Sequence, residues 1–167
     1  MCRLFFCFFF LFAVGPALAM QAQVAEVRSC DSITVTSDAG KSATVRLFGV
    51  VCPKSGGTSA QPYSAEALAF LRQMLPKDAP VALHDMRRDT MGRERGYTIT
   101  LPSGLLVQTA LLEAGLAWVS PTHCGACRAW KISEKKARLS RTGLWSEENP
   151  VPPWEWEDAP RQKTKPD

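Results

Sequence analysis

Three features of the sequence predict an α+β fold. A β-branched stretch near the start is cut by one glycine turn, a strand–turn–strand unit follows in mid-chain, and three segments carry helical periodicity. Their order is strands, helix, two strands, helix, helix. It describes one domain whose strand pattern would suit a small closed barrel.

The first stretch, Gln23–Val51 (QVAEVRSCDSITVTSDAGKSATVRLFGVV), is rich in Val, Ile and Thr and alternates in places. Asp38-Ala39-Gly40 interrupts it as a hairpin-like turn, so two or three antiparallel strands are expected. Lys54–Gln61 (KSGGTSAQ) has the composition of a loop. From Ser64 to Leu75, residues Ala67, Leu68, Phe70, Leu71, Met74 and Leu75 recur at helical spacing. Glu66 suits the first turn, and Pro76 stops the helix. Pro80–Gly104 reads as a strand, a charged turn around Gly92, a second strand, and a turn at Pro102-Ser103-Gly104. Leu106–Ala117 predicts a second helix with Gly115 as its C-terminal cap. After a loop holding Cys124 and Cys127, a basic third helix runs from Arg128 to Arg141 and is closed by Gly143.

Residues 1–19 carry one early cation, Arg3, then an apolar run that closes on Pro16 and Ala17-Leu18-Ala19. This is the layout of a secretory signal peptide cleaved after Ala19. The run is shorter than the roughly 20 residues a membrane span needs, so no stable membrane insertion is expected. Cleavage would lower the net charge from +4 to +3, because Arg3 is the only charge removed. That excess permits a polyanionic partner without demanding one. Residues 20–148 then form the folded domain. Residues 149–167 (NPVPPWEWEDAPRQKTKPD) form a proline-rich tail whose Trp154 and Trp156 are expected to dock on it. Four cysteines remain, Cys30, Cys52, Cys124 and Cys127, and an even number in an exported chain favours two disulfides.

Several motifs, in order, resemble the staphylococcal nuclease (thermonuclease-like) family from about Val24 to Trp145. These are CDSITV (Cys30–Val35), VRLFGVVCP (Val45–Pro53), YSAEALAFLRQML, DTMGRERGYT, VQTALLEAGLAWV and GLW (Gly143–Trp145). The resemblance implies a five-stranded OB-type β-barrel with three α-helices, and an ancestral calcium-dependent phosphodiesterase acting on DNA and RNA. In that chemistry carboxylates hold calcium, a glutamate assists the attacking water, and two arginines clamp the phosphate.

Carried over by position, Arg46 and Arg93 match the two arginines and Asp31 the first calcium aspartate. The second calcium aspartate falls on Val51, its neighbouring threonine on Cys52, and the general-base glutamate on Lys54. One carboxylate is a poor seat for an ion that takes 6–8 oxygens. A protonated lysine adds positive charge and cannot accept a proton from water. The expected cofactor is therefore none, or calcium if the ancestral activity survives, with Asp89 the best substitute acid. By the same resemblance Cys30 and Cys52 face each other across the former metal cradle, and a disulfide there is expected.

Other residues carry weaker signals. Arg87, Arg88 and Arg95 crowd beside Arg93, either to bind nucleic acid or as a solvated charged hairpin. Cys124-Gly125-Ala126-Cys127 at a helix start could be redox-active, but the βαβ context of such sites is missing, and a local staple is the simpler reading. Zinc on these cysteines or on His123 would need distant ligands in an oxidising compartment. His84 reads as a structural strand residue, and Trp118 as core. The combined expectation is an exported, periplasmic protein that binds nucleic acid or another phosphate-bearing polymer with a degraded catalytic centre. The alternatives are an active or weakly active endonuclease, and an envelope protein-interaction module using the barrel and tail.

Overall fold

A computed structural model describes residues 19–56, 60–86, 96–124 and 127–156. The first three strands are β1 (Met20–Ser29), β2 (Ser32–Ser37) and β3 (Ser42–Leu47), followed by the two-residue β4 (Val50–Val51). Then come α1 (Ser64–Met74), β5 (Pro80–Met86), β6 (Gly96–Thr100) and α2 (Val107–Glu113). The chain continues through β7 (Trp118–Val119), α3 (Arg128–Leu139) and a 3-10 turn at Gly143–Ser146.

Five strands close into a barrel in the order β1-β2-β3-β6-β5, with β5 returning to β1. Alternation explains how it closes. Ile33, Val35 and Val45 point inward and are buried. Between them Thr34 meets Thr44, and Thr36 meets Ser42, through hydroxyl contacts of 3.4 and 3.0 Å on the outer face. Every barrel pairing is antiparallel except that of β3 with β6, which joins Arg46 to Gly96 and Leu47 to Tyr97. Asp38-Ala39-Gly40 makes the expected turn, with Gly40 at φ 73°.

The three helices pack beneath the barrel through Ala67, Leu71, Leu111, Leu112 and Trp130, all buried. Gln108 is fully buried yet satisfied. Its amide oxygen accepts from Ile99 N–H at 3.3 Å and its amide nitrogen donates to the Tyr97 carbonyl at 2.7 Å, which fixes α2 against β6. The described barrel and its buried hydrophobic core lie between Met20 and Trp145, so residues 20–167 contain that core whole.

Both later helices are shorter than the sequence suggests, for one reason. After α2, Gly115 N–H donates to Leu112 and Leu116 N–H to Leu111, with Gly115 at φ 63°. This paired pattern with a left-handed residue ends a helix. A side chain at Gly115 would also strike the Thr142 carbonyl, at 2.1 Å. Arg141, at φ 50°, closes α3 in the same manner, with bonds from Arg141 to Arg138 and from Thr142 to Ala137. The residues released after α2 form β7, which pairs with β4 through Val50–Val119 and Val51–Trp118. Strands of two residues leave no periodicity to read, so this small sheet was invisible in the sequence.

The tail departs from expectation. Trp154 is 43% exposed, and its indole N–H donates to neighbouring Glu155 instead of entering the core. Pro153 is buried and Trp156 half-buried, so the proline run makes the contact assigned above to Trp154.

Candidate functional site

The β1–β2 hairpin turns through two residues, Cys30 and Asp31, because Ser29 already pairs with Ser32. Asp31 therefore stands at the end of the barrel. One carboxylate oxygen accepts from the Ser29 hydroxyl at 2.6 Å, and the other faces the Arg46 guanidinium at 3.7 Å. Arg46 lies next to it because it pairs with Ser32 across β2 and β3. The Arg46 side chain is 74% exposed, which leaves most of its five N–H donors to solvent or an anion. Asp31 and Arg46, both singled out in the sequence, thus stand side by side.

Facing them is the β4 exit. Val51 is half-buried and held in the small sheet against Trp118. Cys52 is buried and bonded to Cys30, with Cα atoms 5.8 Å apart. The disulfide joins the turn that carries Asp31 to the strand end that carries Val51, and Pro53 and Lys54 follow it.

Past that point one side chain organises the loop. Gln61 is 3% exposed. Its amide oxygen accepts from Lys54 N–H at 3.0 Å, its own backbone N–H donates to the Lys54 carbonyl at 2.9 Å, and its amide nitrogen donates to the Val151 carbonyl at 2.5 Å. The C-terminal segment is thereby fastened to the loop bearing Lys54. Nearby, the Tyr63 and Ser146 hydroxyls meet at 2.6 Å. Sequence reading passed over Gln61 as a loop residue. A glutamine closing a Gly/Ser loop carries no local signal, because its partner lies 90 residues away.

The β3–β4 corner is braced from below. Gly49 sits at φ 74°, with the Trp130 ring where its Cβ would be, at 2.3 Å. Phe48 also lies near Trp130, its ring tilted at 53° with centroids 6.5 Å apart. Cys124 and Cys127 are disulfide-bonded at the start of α3, the helix that carries Trp130. Cys124 is fully buried, which suits a staple. His123 contacts the hydroxyls of Ser120 and Thr122, and Trp118 is buried against Trp145 as an edge-on pair. His84 stands in β5, paired with Thr98 of β6.

Calcium does not fit the side chains described at this rim. Asp31 is the one carboxylate there, with one oxygen bonded to Ser29 and the other facing a cation. The Val51 side chain has no oxygen to offer, and the Cys52 sulfur is spent in a disulfide. Among the described residues no group of three or more His, Cys, Asp or Glu is arranged to hold a metal ion. Arg87, Arg88, Asp89, Arg93 and Arg95 lie outside the described residues.

Comparison with known proteins agrees with this architecture. The sequence model described as "Staphylococcal nuclease homologue" matches residues 44–147. A protein named "Uncharacterized endonuclease" from Escherichia coli O157:H7 is 28% identical over 142 residues, spanning 84% of this chain and 88% of its own length. "Staphylococcal-like nuclease CAN1" of Arabidopsis thaliana is 34% identical over 119 residues, 70% of this chain and 33% of its own. "Probable endonuclease LCL3" of Pyricularia oryzae is 35% identical over 117 residues, 64% of this chain and 44% of its own. With its closed five-stranded barrel, three helices and a family match over more than half its length, the chain belongs to the staphylococcal nuclease homologue family.

Proposed function

We propose that this protein is an exported binder of nucleic acid or a similar phosphate-bearing polymer, built on a nuclease barrel whose catalytic centre has been dismantled. The observation that carries the reading is the rim itself. An exposed arginine able to grip a phosphate survives at Arg46 beside Asp31, while Val51 and Lys54 occupy the positions of two of the family's carboxylates and a disulfide takes in Cys52 between them. A guanidinium can take a phosphate in a two-pronged, charge-assisted contact without any metal. Hydrolysis by the family's route needs a seated cation and a base to draw a proton from water, and neither Val51 nor Lys54 supplies them. Arg93, with Arg87, Arg88 and Arg95, completes the proposed phosphate track.

Anisotropy of a labelled single-stranded oligonucleotide tests this. Binding should weaken steeply with added salt, and Arg46→Ala should lower affinity about five- to tenfold. No calcium-dependent cleavage of plasmid DNA should appear. Cleavage that needs calcium and is lost in Arg93→Ala would overturn the reading in favour of an active endonuclease. That second reading draws support from the names of the relatives, the Escherichia coli protein above all. It assigns the missing acid to Asp89, so Asp89→Ala should abolish the activity. Export is tested by sequencing the N-terminus of protein recovered from the periplasm, where a start at Met20 is expected. A role as an envelope interaction module rests on exposed Trp154 and would be marked by partner capture that tail removal abolishes.

A further inference from the structure

We infer that the outward face of α3 docks on the surface of an anionic phospholipid bilayer. The helix is anchored to the protein by Trp130, Ser133 and Ala137, all buried. At the helical repeat, the opposite side carries Arg128, Ile132, Lys135 and Leu139 in a single stripe. Ile132 is 68% exposed and Leu139 77%, the two most exposed large hydrophobics among the described residues. They are two turns apart, about 10 Å along the axis.

Cations surround them. Lys136 flanks the stripe that already holds Arg128 and Lys135, and among the described residues no ion pair engages Arg128, Lys135 or Lys136. Arg138 is turned aside, paired with Glu134 at 3.4 Å and lying 3.9 Å over the Trp145 ring. Glu134 is the one acid in α3, and it faces inward to accept from Val119 N–H at 3.1 Å. Among the described residues, the outward face is thus apolar at two points, positive around them and free of carboxylates.

That combination fits one kind of surface. Lipid phosphates would take the cations, while the acyl region just beneath would take the two aliphatic side chains. Nucleic acid would satisfy only the charges, since among the described residues the face offers no aromatic ring to stack a base. A second copy of the same face would be repelled by its own charge. The rim at Arg46 is a different surface, so the inference stands apart from the proposed function.

The experiment is co-sedimentation of residues 20–167 with phosphatidylcholine vesicles, with and without phosphatidylglycerol. The protein should partition onto the anionic vesicles only. Ile132→Ser with Leu139→Ser should lower partition about tenfold, from the lost apolar contact. Lys135→Glu with Lys136→Glu should lower it about 25-fold or more, at roughly fivefold per cation. Both pairs alter exposed side chains, so near-UV circular dichroism should be unchanged, and oligonucleotide affinity should stay within about twofold. Failure to bind anionic vesicles overturns the inference. So does binding that the Ser pair leaves intact while the Glu pair weakens the oligonucleotide complex, because the face is then a nucleic-acid surface.

Discussion

The two ends of this domain are held together by different physics. At the rim around Asp31 and Arg46, polar and charged groups stand in or near solvent, and a disulfide and one buried glutamine supply the rigidity. At the junction of α2, α3 and the 3-10 turn, close packing does the same task. Gly115 touches the Thr142 backbone, Leu144 N–H donates to the Gly115 carbonyl at 2.9 Å, and Trp118 meets Trp145 edge-on. A site that must greet a charged polymer cannot bury its own charges. Its shape has to come from covalent bonds and from hydrogen bonds at its margins.

Substitutions at each end sharpen this contrast. The largest effect is expected at the packed junction. Gly115→Ala forces a side chain into a left-handed backbone and against the Thr142 carbonyl, and should cost about 3 kcal/mol or prevent folding. Thermal melting of the purified variant measures it, and a loss under about 1 kcal/mol would break the comparison. Next comes the rim bond. Cys30→Ser with Cys52→Ser opens a link between residues 22 apart and should cost about 3 kcal/mol in urea unfolding. The barrel core should survive it, so the intact and opened forms should share their far-UV dichroism.

Gln61→Ala should cost about 1–2 kcal/mol, because it strands the Lys54 N–H and the Val151 carbonyl. Hydrogen exchange should rise at the Lys54 loop and the tail together. Exchange that rises in only one of them would show that the clip does not couple them. The smallest stability effect is expected at Arg46→Ala. Its partner Asp31 lies 3.7 Å away across an exposed surface, and the change should stay within about 0.5 kcal/mol. A large loss there would mean that Arg46 serves the fold and not a ligand.

Much of the domain was legible before any coordinates. β2 and β3 were readable because Ile33, Val35 and Val45 alternate with hydroxyls, and α1 because its apolar residues recur at helical spacing. Gly115 was readable because only a left-handed backbone calls for glycine at that spot. Asp31 and Arg46 were each singled out by motif, whereas their 3.7 Å approach to one another is read from the structure. Less visible were features whose partners are far apart in the chain. β4 and β7 are too short to show a period, and the exposure of Trp154 depends on how the tail packs on the domain, which no neighbouring residue signals.

The sequence by itself determined the order of the barrel strands and helices and the turn at Asp38-Ala39-Gly40, since each is written in neighbouring residues. Tertiary structure decided that Gln61 would tie the Lys54 loop to Val151, and that Trp130 would seat beneath Gly49. It also decided that Ile132 and Leu139 would face outward. The physical reason is range. Backbone propensity and side-chain periodicity act over a few residues, whereas burial and hydrogen-bond satisfaction are settled only when distant segments compete for the same space.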